Sequence, residues 1–240
     1  MRSRVVPALL PLLLLLFLAP ALGAQVARGI FVTPIPDAPF SGTVQVERSV
    51  IQPNGSQLQL ISMRVIARDN LGRIHNEMRA MVPASVRTTP ALLVVHVYDP
   101  QNRMNEYLYP QQKTYRMQML NRPPATDTIE DFASPSSASQ PSSQYTRQED
   151  LGQRTIAGVP ANGVRITQTL PPDVSGTNGE VVVTDEYWYS EDLRMNLAVR
   201  HNDPRTGSFA ATVTAVNRGQ PDASLFSVPA DYRMAGLRGQ

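Results

Sequence analysis

The side chains in this sequence that could do chemistry are three histidines, three acidic pairs and a scatter of aromatics. His75, His96 and His201 stand far apart in the chain, and none has the His-Glu-x-x-His or His-x-His spacing that brings two imidazoles to one metal. Read alone, they are satisfied or exposed structural histidines. Glu149-Asp150, Asp185-Glu186 and Glu191-Asp192 are expected at strand ends or turns, where solvated carboxylates are ordinary. A glycosidase pair would need two of them to meet across a cleft. There is no cysteine, which excludes disulfides, thiolate nucleophiles, thiolate metal sites and a lipid-modified cysteine after a leader. The Gly-x-Ser-x-Gly elbow, the Ser-x-x-Lys pair, a glycine-rich phosphate loop and a calcium loop are all missing from the sequence. No catalytic residue, metal site or cofactor is therefore expected.

The aromatics are the remaining candidates. Trp188, the only tryptophan, alternates with Tyr187 and Tyr189, so it points away from them on a strand. Tyr98, Tyr107, Tyr109 and Tyr115 fall on three neighbouring candidate strands. On a curved sheet such residues could line a hollow of lipid or glycan size. Trp188, Tyr107 and Tyr115 are the candidate ligand-binding residues, with ordinary core packing as the competing reading.

The elements that would position them begin after a leader. Arg2 and Arg4, the apolar run Val5 to Leu18, and the small residues Ala21-Leu22-Gly23 have the layout of a secretory signal peptide over residues 1–24, cleaved between Gly23 and Ala24. The apolar run is short for a membrane span and no second run follows, so the processed chain is expected to be exported, periplasmic or secreted, and not an integral membrane protein. Losing Arg2 and Arg4 brings 22 basic residues level with the 20 acidic ones. That balance gives no electrostatic case for a nucleic-acid partner.

Residues 25–40 are rich in proline and small residues and read as an extended entry segment. From residue 41 to 232 a single β domain is expected, because strict apolar–polar alternation replaces helical spacing. Leu193, Met195, Leu197 and Val199 form one such stripe, and Phe209, Ala211, Val213 and Ala215 another. Pro53-Asn54-Gly55-Ser56, Asp69-Asn70-Leu71-Gly72, Asp99-Pro100-Gln101-Asn102 and Asp203-Pro204-Arg205-Thr206-Gly207 supply turns between the runs. The pattern predicts eleven strands, near 42–51, 57–68, 73–82, 91–98, 104–109, 113–120, 152–157, 163–170, 180–189, 193–201 and 208–217. Within 57–68 the apolar phase switches from Leu58 and Leu60 to Ile61, Met63 and Val65, which a bulge would explain. Residues 121–148 are proline- and serine-rich and are predicted to be a flexible loop, with one helical turn at 127–133. Leu225, Phe226 and Val228, bracketed by Pro221 and Pro229, read as a stiffened apolar plug, and residues 233–240 as a terminal tail.

Four strings in the second half carry a resemblance. They are Ile156-Ala157-Gly158-Val159-Pro160-Ala161-Asn162-Gly163, Glu186-Tyr187-Trp188-Tyr189-Ser190, Asp203-Pro204-Arg205-Thr206-Gly207 and Pro221 to Tyr232. Together they resemble a group of uncharacterised exported bacterial proteins that close on a Leu-Phe-x-Val-Pro-x-x-Tyr segment. The wider layout resembles the LolA/LolB-like periplasmic lipoprotein-carrier superfamily, without the helices that plug the hollow there. The resemblance implies a curved, open half-barrel of antiparallel strands and an apolar ligand, a lipid or a lipoprotein. The reading is an all-β, exported, non-enzymatic binding or carrier module. A structural or protein-binding envelope module is the alternative, and a hydrolase using an acidic pair is the third choice.

Overall fold

The structure is a computed structural model, and it describes residues 29–120 and 144–235. It is almost entirely β. One open sheet has the strand order β13-β7-β6-β5-β3-β2-β1-β12-β11-β10-β9-β8, with β4 also paired to β2. In chain order these are β1 (Phe40–Ile51), β2 (Gln57–Arg68), β3 (Ile74–Arg79), β4 (Val82–Pro83), β5 (Leu92–Asp99), β6 (Met104–Tyr109) and β7 (Thr114–Met119). The second half holds β8 (Thr146–Ile156), β9 (Val159–Leu170), β10 (Val181–Ser190), β11 (Met195–Asp203), β12 (Gly207–Asn217) and β13 (Arg233–Met234). Neighbours are antiparallel except β13, which runs parallel to β7. A single turn of helix, α1 (Pro172–Ser175), lies between β9 and β10. The signal peptide, the Gly23–Ala24 cleavage site and residues 121–143 lie outside the described residues.

Turn chemistry explains the meander. Asp69, Asp99 and Asp203 each accept backbone N–H bonds from the residues that follow, at 2.8–3.0 Å, so each aspartate shapes its own turn. Gly207 opens β12 at a φ of 110°, and a β-carbon there would sit on the carbonyl of Ser49 across the β1–β12 pair. Only glycine fits that approach.

Several boundaries differ from the sequence reading. The run 73–82 is two strands: β3 pairs with β2 at Ile66–Arg68, β4 with Leu60 and Ile61, and Ala80 between them bonds to Ala91. β8 starts at Thr146, so the end of the proline- and serine-rich segment is already strand. β2 contains no bulge, because its pairing with β1 runs unbroken from Phe40–Arg68 to Ile51–Gln57. The irregularity lies instead where β1 meets β12, between Thr43 and Val44. The phase switch in β2 has another cause: both faces of that strand are used.

The two faces are covered by opposite ends of the chain. On one face Phe40, Val44, Ile66, Ile74, Val199 and Val213 form a buried cluster with Ile30 and Val32 of the entry arm, residues 29–39. We call this the arm face. On the other, Ala67, Val95, Val97 and Leu108 are buried under Phe226, with Leu225 and Tyr232 beside it. This is the tail face. The apolar plug read from the sequence is thus a short 3-10 turn, Ala223–Phe226, docked on the first half of the sheet.

Arg68 fastens the arm. It is fully buried, lies over the ring of Phe40 at 5.1 Å, and donates to the carbonyls of Ala38 (2.8 Å), Thr33 (2.9 Å) and Leu193 (3.0 Å). Burial, with the nearby charge of Arg194, holds its pKa down to about 10. Arg64, two pleat repeats away on the same face, donates to the carbonyl of Ile30 at 3.2 Å.

Candidate functional site

The arm covers only one end of its face. The register places Leu60, Arg48, Phe209, His201, Asp185 and Ile166 in one row across β2, β1, β12, β11, β10 and β9. The adjoining row contains Val46, Ala211, Val199, Tyr187 and Val164. Along these rows Val46, Leu58, Leu60, Phe209 and Ile166 are only half-buried, whereas Phe40, Val44 and Ile66 beneath the arm are fully buried. Met78, on the same face of β3, is 55% exposed. The open end is therefore an apolar surface continuous with the core.

A cavity of about 240 Å³ lies at its margin, lined by Arg48, Ser49, His201, Thr206, Gly207, Ser208 and Phe209. The His201 side chain is buried and its Nδ1 lies 2.7 Å from Oδ1 of Asp185. A carboxylate can only accept, so Nδ1 carries the proton and donates it. Nε2 is shut away from solvent and has no hydrogen-bond partner among the described residues. Asp203, two residues on, is held by Arg205 through Nε (3.0 Å) and Nη2 (2.9 Å). Those bonds, above all from the Arg205 side chain, keep its carboxyl below the usual carboxylate range.

The sequence candidates do not gather at this site. Trp188 lies on the tail face, opposite Gly163 and Ala198, and is buried. Its Nε1 donates to Glu186 at 3.0 Å, and the Arg154 guanidinium covers its ring at 3.7 Å. A β-carbon on Gly163 would fall 2.6 Å from the indole, so that glycine leaves the ring its place. Tyr107 is on the arm face and stacks on His96 with centroids 4.9 Å apart. Tyr115 pairs with Leu108 on the tail face and joins the cluster beneath the tail. The three aromatics thus sit in three separate environments.

Nor do the acidic residues converge. Asp185 and Glu186 are in mid-strand rather than at an end, so they point to opposite faces. Asp185 meets His201, while Glu186 pairs with Arg165 at 3.2 Å, which also reaches Glu149 at 3.4 Å. Asp192 pairs with Arg218 at 2.7 Å, and Asp150 accepts from the backbone of Gly152. Together Glu47, Arg200, Glu186, Arg165 and Glu149 make the tail face of the second half a charged ladder. Among the described residues no group of three or more His, Asp or Glu could hold a metal ion, and no helix is long and apolar enough to cross a membrane.

Sequence reasoning missed Arg48, Phe209 and the Asp185–His201 pair. A signal existed for the arginines: Val44, Val46, Arg48, Val50 is a stripe in which a cation occupies an apolar phase, and Arg64 and Arg68 share the phase of Leu58, Leu60 and Ile66.

No family model matches the chain, and no curated protein sequence matches it. Solved structures do resemble it in shape. A MucA/MucB complex from Pseudomonas aeruginosa aligns with a TM-score of 0.42 at 15% identity, covering 84% of this chain and 59% of that one. A LolA superfamily protein from Nitrosomonas europaea aligns at 0.31 and 9% identity, covering 81% and 92%. LprF from Mycobacterium bovis aligns at 0.32 and 12% identity, covering 82% and 90%. The chain thus spans 59% of the first of these and about nine-tenths of the other two.

Proposed function

We propose that this chain is an exported, non-enzymatic module that binds or carries an apolar ligand, a lipid or an acylated protein, on the open end of the arm face. One observation carries the reading: Val46, Leu58, Leu60, Phe209 and Ile166 remain half-exposed on the same face whose other end is sealed by the arm. Apolar surface left continuous with a core is suited to an acyl chain. The non-enzymatic reading is supported by Glu149, Asp150, Asp185, Glu186 and Asp192 of the acidic pairs, which are separately engaged by arginines, a histidine or a backbone N–H. Export rests on the leader, with cleavage between Gly23 and Ala24, and the periplasm or the exterior is the place of action. Intact mass of the exported protein tests that step; a full-length, membrane-bound product would refute it.

Mass spectrometry of organic extracts from natively purified protein tests the ligand. An acyl lipid present in stoichiometric amount is the expected result. Added fatty acid at a hundredfold its dissociation constant should raise stability by about 2.7 kcal/mol. Leu60→Gln and Phe209→Gln should abolish that rise. No extractable lipid and no stabilisation would overturn the reading. A second reading, a protein-binding envelope module, is favoured by exposed Met117, Met119 and Met234 at the β7 edge of the tail face. Loss of a partner on replacing Met117 and Met119, with lipid binding absent, would select it.

A further inference from the structure

We infer that the cavity beside Phe209 is a head-group subsite, and that the ligand of the arm face is an anionic amphiphile whose charged end lies between Arg48 and His201. This rests on the apolar-ligand reading above and names the chemistry of its polar end. Arg48 and His201 flank Phe209 in one row, two strands apart, so their Cα atoms are separated by about 10 Å. Both residues line the cavity together with Phe209, so a head group seated over that ring would lie between them. Arg48 is an exposed residue of the cavity wall on an otherwise apolar stripe, and no ion pair engages it among the described residues. His201 brings a different resource. Its Nδ1 proton is committed to Asp185, and Nε2 is the one imidazole atom still without a partner. Nε2 is shut away from solvent, so an anionic oxygen reaches it only as the cavity wall yields on binding. Asp203, the other carboxylate of this corner, is already neutralised by Arg205, so it does not repel the anion.

The neighbours of the cavity set the rest of the ligand. Leu60, Val46 and Leu58 adjoin Arg48 on the open face, and they are apolar and half-exposed. An acyl chain leaving the cavity would therefore run over β1 and β2 toward the arm. About 240 Å³ suits a carboxylate or phosphate end and the first few methylenes, and not a whole double-chain lipid. The carboxylate and phosphate forms share one requirement, an anionic oxygen joined to a single apolar chain at its point of entry.

The experiment compares dodecanoate and dodecyl phosphate with neutral glyceryl monododecanoate, and with acetate and inorganic phosphate as chainless anions, on the whole exported protein by calorimetry. The expected result is about tenfold tighter binding of the anionic chains than of the neutral one. Arg48→Met should remove that preference, Arg48→Lys should restore part of it, and neither should weaken the neutral chain. Arg48 is exposed, so both variants are expected to fold; unchanged unfolding midpoints verify it. His201→Gln should weaken the anionic chains in the same sense. Equal binding of anionic and neutral chains by the wild type, unmoved by Arg48→Met, overturns the subsite and leaves the apolar-ligand reading standing. Binding of inorganic phosphate as tight as that of dodecyl phosphate also overturns it, because the site would then be one for free anions. Failure of every chain to bind refutes the apolar-ligand reading itself.

Discussion

Replacing Arg68 by alanine would strip the arm of its fastening, and the cost can be bounded from two sides. The substitution orphans the carbonyls of Thr33, Ala38 and Leu193. At about 1–3 kcal/mol for each buried group left unpaired, the loss is roughly 3–9 kcal/mol if the arm stays in place. The arm can instead lift and hydrate its carbonyls. That gives up the burial of Ile30, Val32 and Ile35, at about 1.5–3 kcal/mol apiece. The two routes are similar in size, so neither offers a cheap escape. Against either stands the relief of no longer holding a cation in the interior, a burden visible in the pKa of about 10. A net loss of about 3 kcal/mol is expected, read as a lower urea midpoint at unchanged slope. Arg68→Lys should lose about half as much, because one ammonium lacks the planar fork that serves three carbonyls. Limited proteolysis should then cut within residues 29–39 before any strand. An Arg68→Ala protein within about 0.5 kcal/mol of wild type, with the arm still protected, would refute this account of what holds it.

Three other perturbations give independent checks. Burial pushes the His75 imidazole down, outweighing its bond to the Leu225 carbonyl and the charge of Glu77. The folded form resists the proton that the unfolded chain accepts, so this contribution is complete above about pH 6.5 and is lost as the pH falls below it. Urea midpoints across that range should fall more for wild type than for His75→Gln, and parallel curves would contradict it. Gly163→Ala should displace the indole of Trp188 from its cover under Arg154, seen as a red shift in tryptophan emission; an unchanged spectrum would mean that the ring was never held there. Gly207→Ala should cost about 2–3 kcal/mol, through the unfavourable φ and the collision with Ser49, and circular-dichroism melts would report it.

Strand existence was readable from alternation because most strands bury one face more than the other. Met195, Leu197 and Val199 of the first stripe and its partner Phe209–Val213 fall in β11 and β12, whereas Leu193 lies in the turn before β11. β2 defeated the same logic. Leu58 and Leu60 are half-buried on the open end of the arm face and Ile61 and Val65 half-buried on the other, so neither phase is cleanly covered, and a single sequence shows the phases but not the covers. The run 73–82 looked continuous because a break in pairing at Ala80 leaves no mark on residue type. Trp188 drew attention as a rare aromatic, yet its place under Arg154 depends on Gly163 being opposite it on another strand. His201 and Asp185 are sixteen residues apart and meet only through the β10–β11 register. Arg48 and Arg68 could have been noticed as cations out of phase, since alternation needs no partner to be read.

The first strand of the domain ends up in the middle of the sheet, with β2 on one side and β12, the last long strand, on the other. Ser41 is paired with Asn217, so the seam joins the two ends of the domain's sequence. Every other long-strand contact can form between strands that are consecutive or nearly so, and each half can zip up locally. The seam must wait for β12, just as the β13–β7 pair and the docking of Phe226 on the first half must wait for the tail. As the chain is synthesised N-terminus first, β1 emerges with one edge unpaired and keeps it so until β12 arrives. Folding dominated by so distant a closure is slow, and an open central edge is where a second chain could pair by mistake. The charged Glu47 and Arg48 on β1 make that waiting edge a poor template for such pairing.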